Sequence, residues 1–439
     1  MLRTEGFRKY LGNTSWLFGE QVVRLVVVLV TGIYVARYLG DALFGQLNYA
    51  TGFVGVFFAL SAMGVDQIVV RDLVQRPERR DELLGTAAFI KLVGSLLLLA
   101  VVLIATFAKG MDALTATLVI IIAGAELLRP FSVIEHHFMA QVQARRSVQV
   151  QFAQVLVSAA FKLALIALKA SLVWFAWVYV LETFVLAVGY TLALARDGGS
   201  WRAWKVSRST LRYLVGESWP MLVYGVALYI QAKIDQVMIG DLLTATLGQE
   251  AAYAEVGQYS VALKMIEAMG FLPVIVQKSL APAITRAKVQ DPALYADRLL
   301  NQYRLMFLLF LVTSVPLYFL AEPLIILLYG EAFAPAGALL SLFAIRLFFT
   351  NMGVAKASFI TNEGLFRYAL LTAVVGAGLN IAINYFLIPP FKSIGAIWAT
   401  IGSFLVSIFL LDLLFPRTRA NLRWMLQGMF TFWRFHRAT

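Results

Sequence analysis

The chain has 439 residues, is 60% hydrophobic and only 14% charged, and contains no cysteine. Soluble domains are about half apolar and a quarter charged, so an ordinary water-soluble globule is excluded. The lack of Cys also excludes disulfides, thiolate metal sites and thiol catalysis. A formal charge of +12, from 37 Lys and Arg against 25 Asp and Glu, fits either a nucleic-acid binder or a membrane protein with basic cytoplasmic loops.

A membrane-spanning helix needs about 20 mostly apolar residues. In chain order, twelve candidates appear: 15–38, 43–64, 84–108, 113–138, 148–168, 171–195, 213–240, 253–277, 303–321, 336–361, 366–388 and 393–415. The first follows Arg3, Arg8 and Lys9 like a signal peptide, but its apolar run is long and no small-residue cleavage site follows. It reads as a retained helix. Pro316, Pro323 and Pro335 interrupt the pattern around the ninth span. The longest loop, 278–302, reads as an amphipathic cytoplasmic segment. No loop is large enough for a separate soluble domain.

Successive loops alternate between the two sides of the membrane, and their charge is lopsided. Arg37, Lys109, Lys169 and Lys392 are the basic residues of one set; the other Lys and Arg outside spans fall in the set that includes both termini. The positive-inside rule therefore puts both termini in the cytoplasm. The same distribution accounts for the basic charge, and no nucleic acid is expected.

The basic linker ARDGGSWRAWKVSRSTLR (195–212) divides the spans six and six. Two lobes are expected, residues 1–210 and 211–439, related as a parallel repeat about an axis along the membrane normal. An echo supports the repeat: YLGDALFGQLNYA (38–50) returns as MIGD (238–241) and VGQYSVA (256–262).

Charged residues inside the spans carry the functional argument. The basic ones are Arg24, Lys91, Arg129, Lys162, Lys233, Lys264, Arg346 and Lys356, and the acids counted with them are Glu20, Glu126, Glu182, Asp235 and Glu267. A charge at a helix centre costs about 2.5–3.5 kcal/mol on the insertion scale, so these side chains should not face lipid. Three pairs at helical spacing neutralise locally: Glu20–Arg24, Glu126–Arg129 and Lys264–Glu267. Lys91 is placed to snorkel. The surplus is positive, and a cationic cavity between apolar walls suits a phosphate or pyrophosphate. Pro130, Pro220, Pro273 and Pro316 add kinks compatible with a moving transporter.

Other motifs carry no chemistry. GAGLN (376–380) lacks the strand and third glycine of a dinucleotide loop, and no P-loop occurs. His136 and His137 lack zinc-ligand spacing and read as interfacial. No cofactor or metal is expected.

The ordered motifs resemble the polysaccharide-transporter (Wzx-type O-antigen flippase) family of the multidrug/oligosaccharidyl-lipid/polysaccharide (MOP) superfamily. The pattern is Arg24, YVARYLGDALFGQL (34–47), Gly64 and Arg71, then Asp235, Ile239-Gly240 and VGQYSVALK (256–264). LLYGEAFAPA (327–336) and LNIAINYFLIPPFKSIGAIWAT (379–400), with Asn380 and Asn384, complete it over about residues 10–415. The resemblance implies an all-α membrane protein of two six-helix lobes around a cleft with alternating access. Its implied cargo is an undecaprenyl-pyrophosphate-linked oligosaccharide, in O-antigen or a similar lipopolysaccharide pathway, crossing the bacterial inner membrane.

On this reading Arg24, Lys233, Lys264, Arg346, Arg129 and Lys356 hold the pyrophosphate and acidic sugars. Glu20 and Asp235 are candidates for coupling to H+ or Na+. Membrane lipids and polysaccharide assembly proteins are the expected partners, and no enzymatic activity is expected. The alternatives are a cation-coupled multidrug exporter of the same superfamily and, in a different class, a membrane glycan polymerase or glycosyltransferase. Twelve spans argue against the fourteen usual in lipid II flippases. An Arg beside Glu20, in place of a lone coupling carboxylate in the first span, argues against the drug exporter.

Overall fold

The computed structural model describes residues 5–434, with side chains from Val23 onward except Ala144. The Glu20 side chain, and with it the expected Glu20–Arg24 pair, lies outside the described residues, as do the Arg3 and Arg437 positions.

The helices, in order, are α1 (Glu5–Gly55), α2 (Phe58–Ala62), α3 (Asp66–Gln75), α4 (Arg80–Lys109), α5 (Ala113–Ala125), α6 (Val133–Ala140), α7 (Ala144–Ala167) and α8 (Leu172–Arg196). They continue as α9 (Arg208–Leu247), α10 (Gln249–Met269), α11 (Phe271–Gln290), α12 (Pro292–Tyr329), α13 (Pro335–Glu363), α14 (Phe366–Phe404), α15 (Leu411–Leu414) and α16 (Arg419–Phe430). No strand occurs among the described residues.

Ten stretches are long and apolar enough to cross a membrane, against twelve expected spans. The difference lies in two of them. α1 breaks at Gly40, whose φ of 74° requires glycine's freedom, so it holds the first two spans. α14 breaks at Lys392 (φ 52°, ψ −136°). The stretch Phe366–Leu414 has 49 residues and would be about 70 Å long as one helix, against a hydrocarbon core of about 30 Å. Counted by breaks, both regions hold two spans.

The segment 278–302 departs from the expected loop. α11 runs on to Gln290, and Asp291 immediately caps α12 by accepting from the Ala293 N–H at 2.9 Å, with Pro292 at the first helical position. The prolines of α12 do not end it; Pro316 and Pro323 lie inside one continuous helix to Tyr329.

By backbone contacts the chain forms two units, residues 1–39 with 46–233, and 40–45 with 234–439. The division falls within α9. The first half of α9 stays with the first unit because the linker is laced to α4. Lys205 N–H donates to the Asp81 carbonyl (3.2 Å) and Ser207 N–H to Thr86 Oγ1 (3.2 Å). A Cβ at Gly85 would lie 2.6 Å from the Lys205 carbonyl oxygen, so a side chain there would push the linker off.

The sequence echo has a structural counterpart. A Cβ at Gly45 would strike the carbonyl of Tyr253, and one at Gly257 would strike that of Asp41. Each glycine thus meets the carbonyl four residues before the other, a reciprocal close packing that only small residues allow. The glutamine after each glycine does matching work in its own unit. Gln46 donates to Thr115 in the first turn of α5 (2.9 Å), and Gln258 accepts from the Ala336 N–H in the first turn of α13 (3.1 Å). In each half the GQ pair fixes the start of the fourth span.

Candidate functional site: buried charge in the two units

In the first unit, three of the basic residues counted inside the spans find acids. Lys91 does not snorkel: it is 2% exposed, with its ammonium 2.6 Å from Asp66 Oδ1 and 3.0 Å from Ser132 Oγ. Asp66 Oδ1 is also 3.0 Å from His136 Nε2. Burial pushes the Asp66 carboxyl up, but His136 and Lys91 together outweigh it and hold the group below the usual carboxylate range. His136 and His137 are buried in the fold, and His137 Nε2 lies 3.4 Å from Asp197. Arg129 bonds Glu126 at 3.0 Å, as its spacing predicts, and Ser61 donates to the same carboxylate. Lys162 meets Glu182 at 2.9 Å across neighbouring helices α7 and α8.

Lys233 differs. It is partly buried on α9, its stem passing Gly55, where a Cβ would lie 3.0 Å from Lys233 Cγ. Among the described residues it has no hydrogen-bond or ion-pair partner. Arg24 is partly buried in the first half of α1.

In the second unit, Lys356 has a partner outside the five acids counted in the spans: Asp412, within the last apolar run. Their atoms are 2.7 Å apart, with the lysine 4% and the aspartate 0% exposed. Lys356 also donates to the Ile408 carbonyl at 2.8 Å, in the π-helical turn Leu405–Leu410, where wider winding leaves carbonyls to satisfy. Tyr368 and Asn421 donate to the same carboxylate, and Tyr303 to Asn421. The network ties α12, α13, α14, α15 and α16 together.

Asp235 is also buried, at 4% exposure, but is bound by neutral groups alone among the described residues. Tyr259 Oη and Thr400 Oγ1 donate to its Oδ2 at 2.6 and 2.7 Å, and Asn384 Nδ2 to its Oδ1 at 2.7 Å. Asn380 donates to Thr400 Oγ1 at 3.3 Å and accepts from Asn384 at 3.3 Å. Asn384 Oδ1 is buried with no partner among the described residues. Carboxylate, two amide oxygens and a hydroxyl thus converge from α9 and both halves of α14.

Arg346 lies near this cluster without pairing to it. Its guanidinium is 5.6 Å from the centre of the Phe343 ring and 5.4 Å from that of Phe404, and its Nε is buried without a hydrogen-bond partner. Phe343 in turn packs on Tyr259 at 5.2 Å. Lys264 does not form the expected pair with the exposed Glu267; its ammonium sits 4.3 Å from the centre of the Phe44 ring, a cation–π contact. No group of three or more His, Asp or Glu that could hold a metal ion occurs among the described residues.

Of the residues singled out from sequence, Arg129 and Lys356 have acidic partners, Asp235 has neutral donors, and Lys233 and Arg346 have no acid among the described residues. Asp412, Asp66, Tyr259 and Thr400 enter only with the structure.

Similarity to known proteins agrees with this architecture. Among curated proteins none matches the sequence. Among solved structures, the lipid II flippase MurJ, in an inward closed conformation, aligns with TM-score 0.68 and 11% identity, over 94% of this chain and 90% of that one. An inward-facing multidrug resistance MATE family transporter of the MOP superfamily aligns with TM-score 0.66 and 13% identity, over 93% and 94%. A MOP superfamily transporter from Pyrococcus furiosus, described by a binding pocket of reverse polarity, aligns with TM-score 0.55 and 13% identity, over 96% and 94%. These likenesses establish the fold as that of the MOP superfamily. Residues 10–288 match the polysaccharide biosynthesis protein family, and the chain belongs to that family.

Proposed function

We propose that this protein is a flippase that carries undecaprenyl-pyrophosphate-linked oligosaccharide, the repeat unit of O-antigen or a similar polysaccharide, across the bacterial inner membrane by alternating access. Both termini lie in the cytoplasm on this reading. The observation that carries it is that Lys233 and Arg346, both within apolar spans, have no acidic partner among the described residues, a cost retained only where an anion is to be met. With Arg24 and Lys264 they form the set offered to the pyrophosphate and to acidic sugars, while Arg129 and Lys356 are left to structure. The Arg forks suit phosphate oxygens.

Asp235 is the coupling carboxylate of the proposal. A buried acid held by Tyr259, Thr400 and Asn384 binds H+ or Na+ at one stage of the cycle, and the change in local charge biases the helices that supply those donors. The chemistry asked of the chain is binding and release, with no bond made or broken.

A strain lacking the protein, examined for lipid-linked oligosaccharide, tests the proposal. Accumulation on the inner leaflet, reversed by the wild-type chain, is expected. Normal surface glycan with lost dye efflux would replace the reading by drug export. Covalent extension of the lipid-linked sugar by purified protein would replace it by polymerase activity.

A further inference from the structure

Between α4 and the start of α9 runs an open groove of about 530 Å³, within the first unit and apart from the buried charges. Its walls are Met63, Phe89, Ile90, Val93, Leu211 and Val215, with Arg208 and Arg212 at its basic end. Phe89, Val93 and Val215 are 41–46% exposed. Arg208 and Arg212, one helical turn apart on one face, have no ion pair or hydrogen bond among the described residues.

The groove is held in shape by what binds the other side of α9. Thr210 is buried and bonds both Arg79 and Glu82, and Leu214 packs into the cluster of Leu84, Ala87 and Ile90. The linker hydrogen bonds to Asp81 and Thr86 fix the approach of the chain. The two acids of the first turn of α4 are taken, Asp81 by Arg80 at 2.9 Å and Glu82 by Arg79 at 2.8 Å. Two guanidinium groups are therefore presented without counter-charge at the mouth of an apolar trench.

We infer that this groove is a binding site for one anionic phospholipid of the basic-side leaflet, its phosphate between Arg208 and Arg212 and an acyl chain along Phe89, Val93 and Val215. Charge complementarity selects the headgroup, and apolar walls on the lipid-facing flank select a chain. Such a lipid braces the first half of α9 against α4. The site is independent of what the protein transports.

The test is lipid retention by the purified full-length protein, read by native mass spectrometry after exchange into mixed phosphatidylglycerol and phosphatidylcholine. Two surface cations at about 1 kcal/mol each correspond to roughly a thirty-fold preference for phosphatidylglycerol in one tightly held copy. Arg208→Ala/Arg212→Ala abolishes that preference. Val93→Trp, which fills the trench and leaves the charge alone, releases the same copy, so a folding defect in one variant does not decide the matter. Arg417→Ala/Arg423→Ala, which removes two exposed cations elsewhere, leaves it in place. Equal retention of the two lipids by wild type, or an equal loss in the Arg417/Arg423 control, would overturn the inference. So would displacement of the copy by undecaprenyl phosphate at equimolar amounts, which would make the groove a cargo site.

Discussion

Asp235 and Asp412 are two buried carboxylates in the same unit, each bonded by a tyrosine and an asparagine, yet their surroundings differ in one respect. Asp412 has the ammonium of Lys356 at 2.7 Å; Asp235 has no cation among the described residues, although Arg346 lies near, over Phe343. A buried ion costs several kcal/mol unless it is neutralised and hydrogen-bonded. At Asp412 that cost is met by a permanent partner, and the result is a fixed joint around a π-helical turn. At Asp235 it is met by neutral donors alone among the described residues. The same residue type is therefore ion-paired at one position and held by neutral donors at the other, which is why the proposal gives coupling to Asp235. In the first unit, Lys91–Asp66, Arg129–Glu126 and Lys162–Glu182 all belong with Asp412, and Lys233 with the unpaired group.

This contrast can be broken by substitution. The largest stability effect is expected at the paired site: Asp412→Ala leaves Lys356 buried alone and costs about 3–5 kcal/mol, read as a fall in the thermal midpoint in detergent. Lys356→Met/Asp412→Leu, which removes both charges, recovers most of that loss, with transport retained. At the unpaired site the pattern reverses. Asp235→Asn keeps the size of the side chain but turns one acceptor oxygen into a donor facing donors; it lowers the midpoint less than Asp412→Ala does and abolishes transport. Arg346→Ala and Lys233→Ala each lower flipping about ten-fold or more, or about 1.4 kcal/mol in transition-state terms, with unchanged midpoints.

The smallest effect concerns acid. Asp66 is held below its ordinary value of about 3.9, so its contribution is complete above that pH and fades as the pH falls toward the lower native value. Wild type should lose thermal stability below about pH 4, and Asp66→Asn should lose part of that dependence while being less stable at neutral pH.

The spans were legible because an apolar run of membrane length seldom forms anything but a spanning helix. The break at Gly40 and the reciprocal contacts of Gly45 and Gly257 also left a trace, in a repeated Gly-Gln. The charge pairing was legible only where it is local. Glu126 and Arg129 stand three residues apart on one turn, and spacing finds them. Lys356 and Asp412 are 56 residues apart and meet only when two helices pack. An acid lying in the last apolar run was the available signal. Asp66 stands just past Gly64 at the start of α3, outside the apolar runs where a charge looks unremarkable, and meets Lys91 through the packing of α3 and α4. Asn380 and Asn384 stand out as polar residues inside a span, but nothing in their spacing points to Asp235, about 150 residues earlier.

The most direct test reconstitutes wild type, Arg346→Ala and Asp412→Ala into liposomes and follows the movement of a fluorescent undecaprenyl-pyrophosphate oligosaccharide between leaflets, with the thermal midpoint of each preparation measured alongside. Wild type should flip the lipid, Arg346→Ala should stay folded and flip at least about ten-fold more slowly, and Asp412→Ala should lose stability first. Wild-type flipping by a folded Arg346→Ala/Lys233→Ala protein would contradict the account, because the unpaired cations would then have no part in carrying the anionic head group.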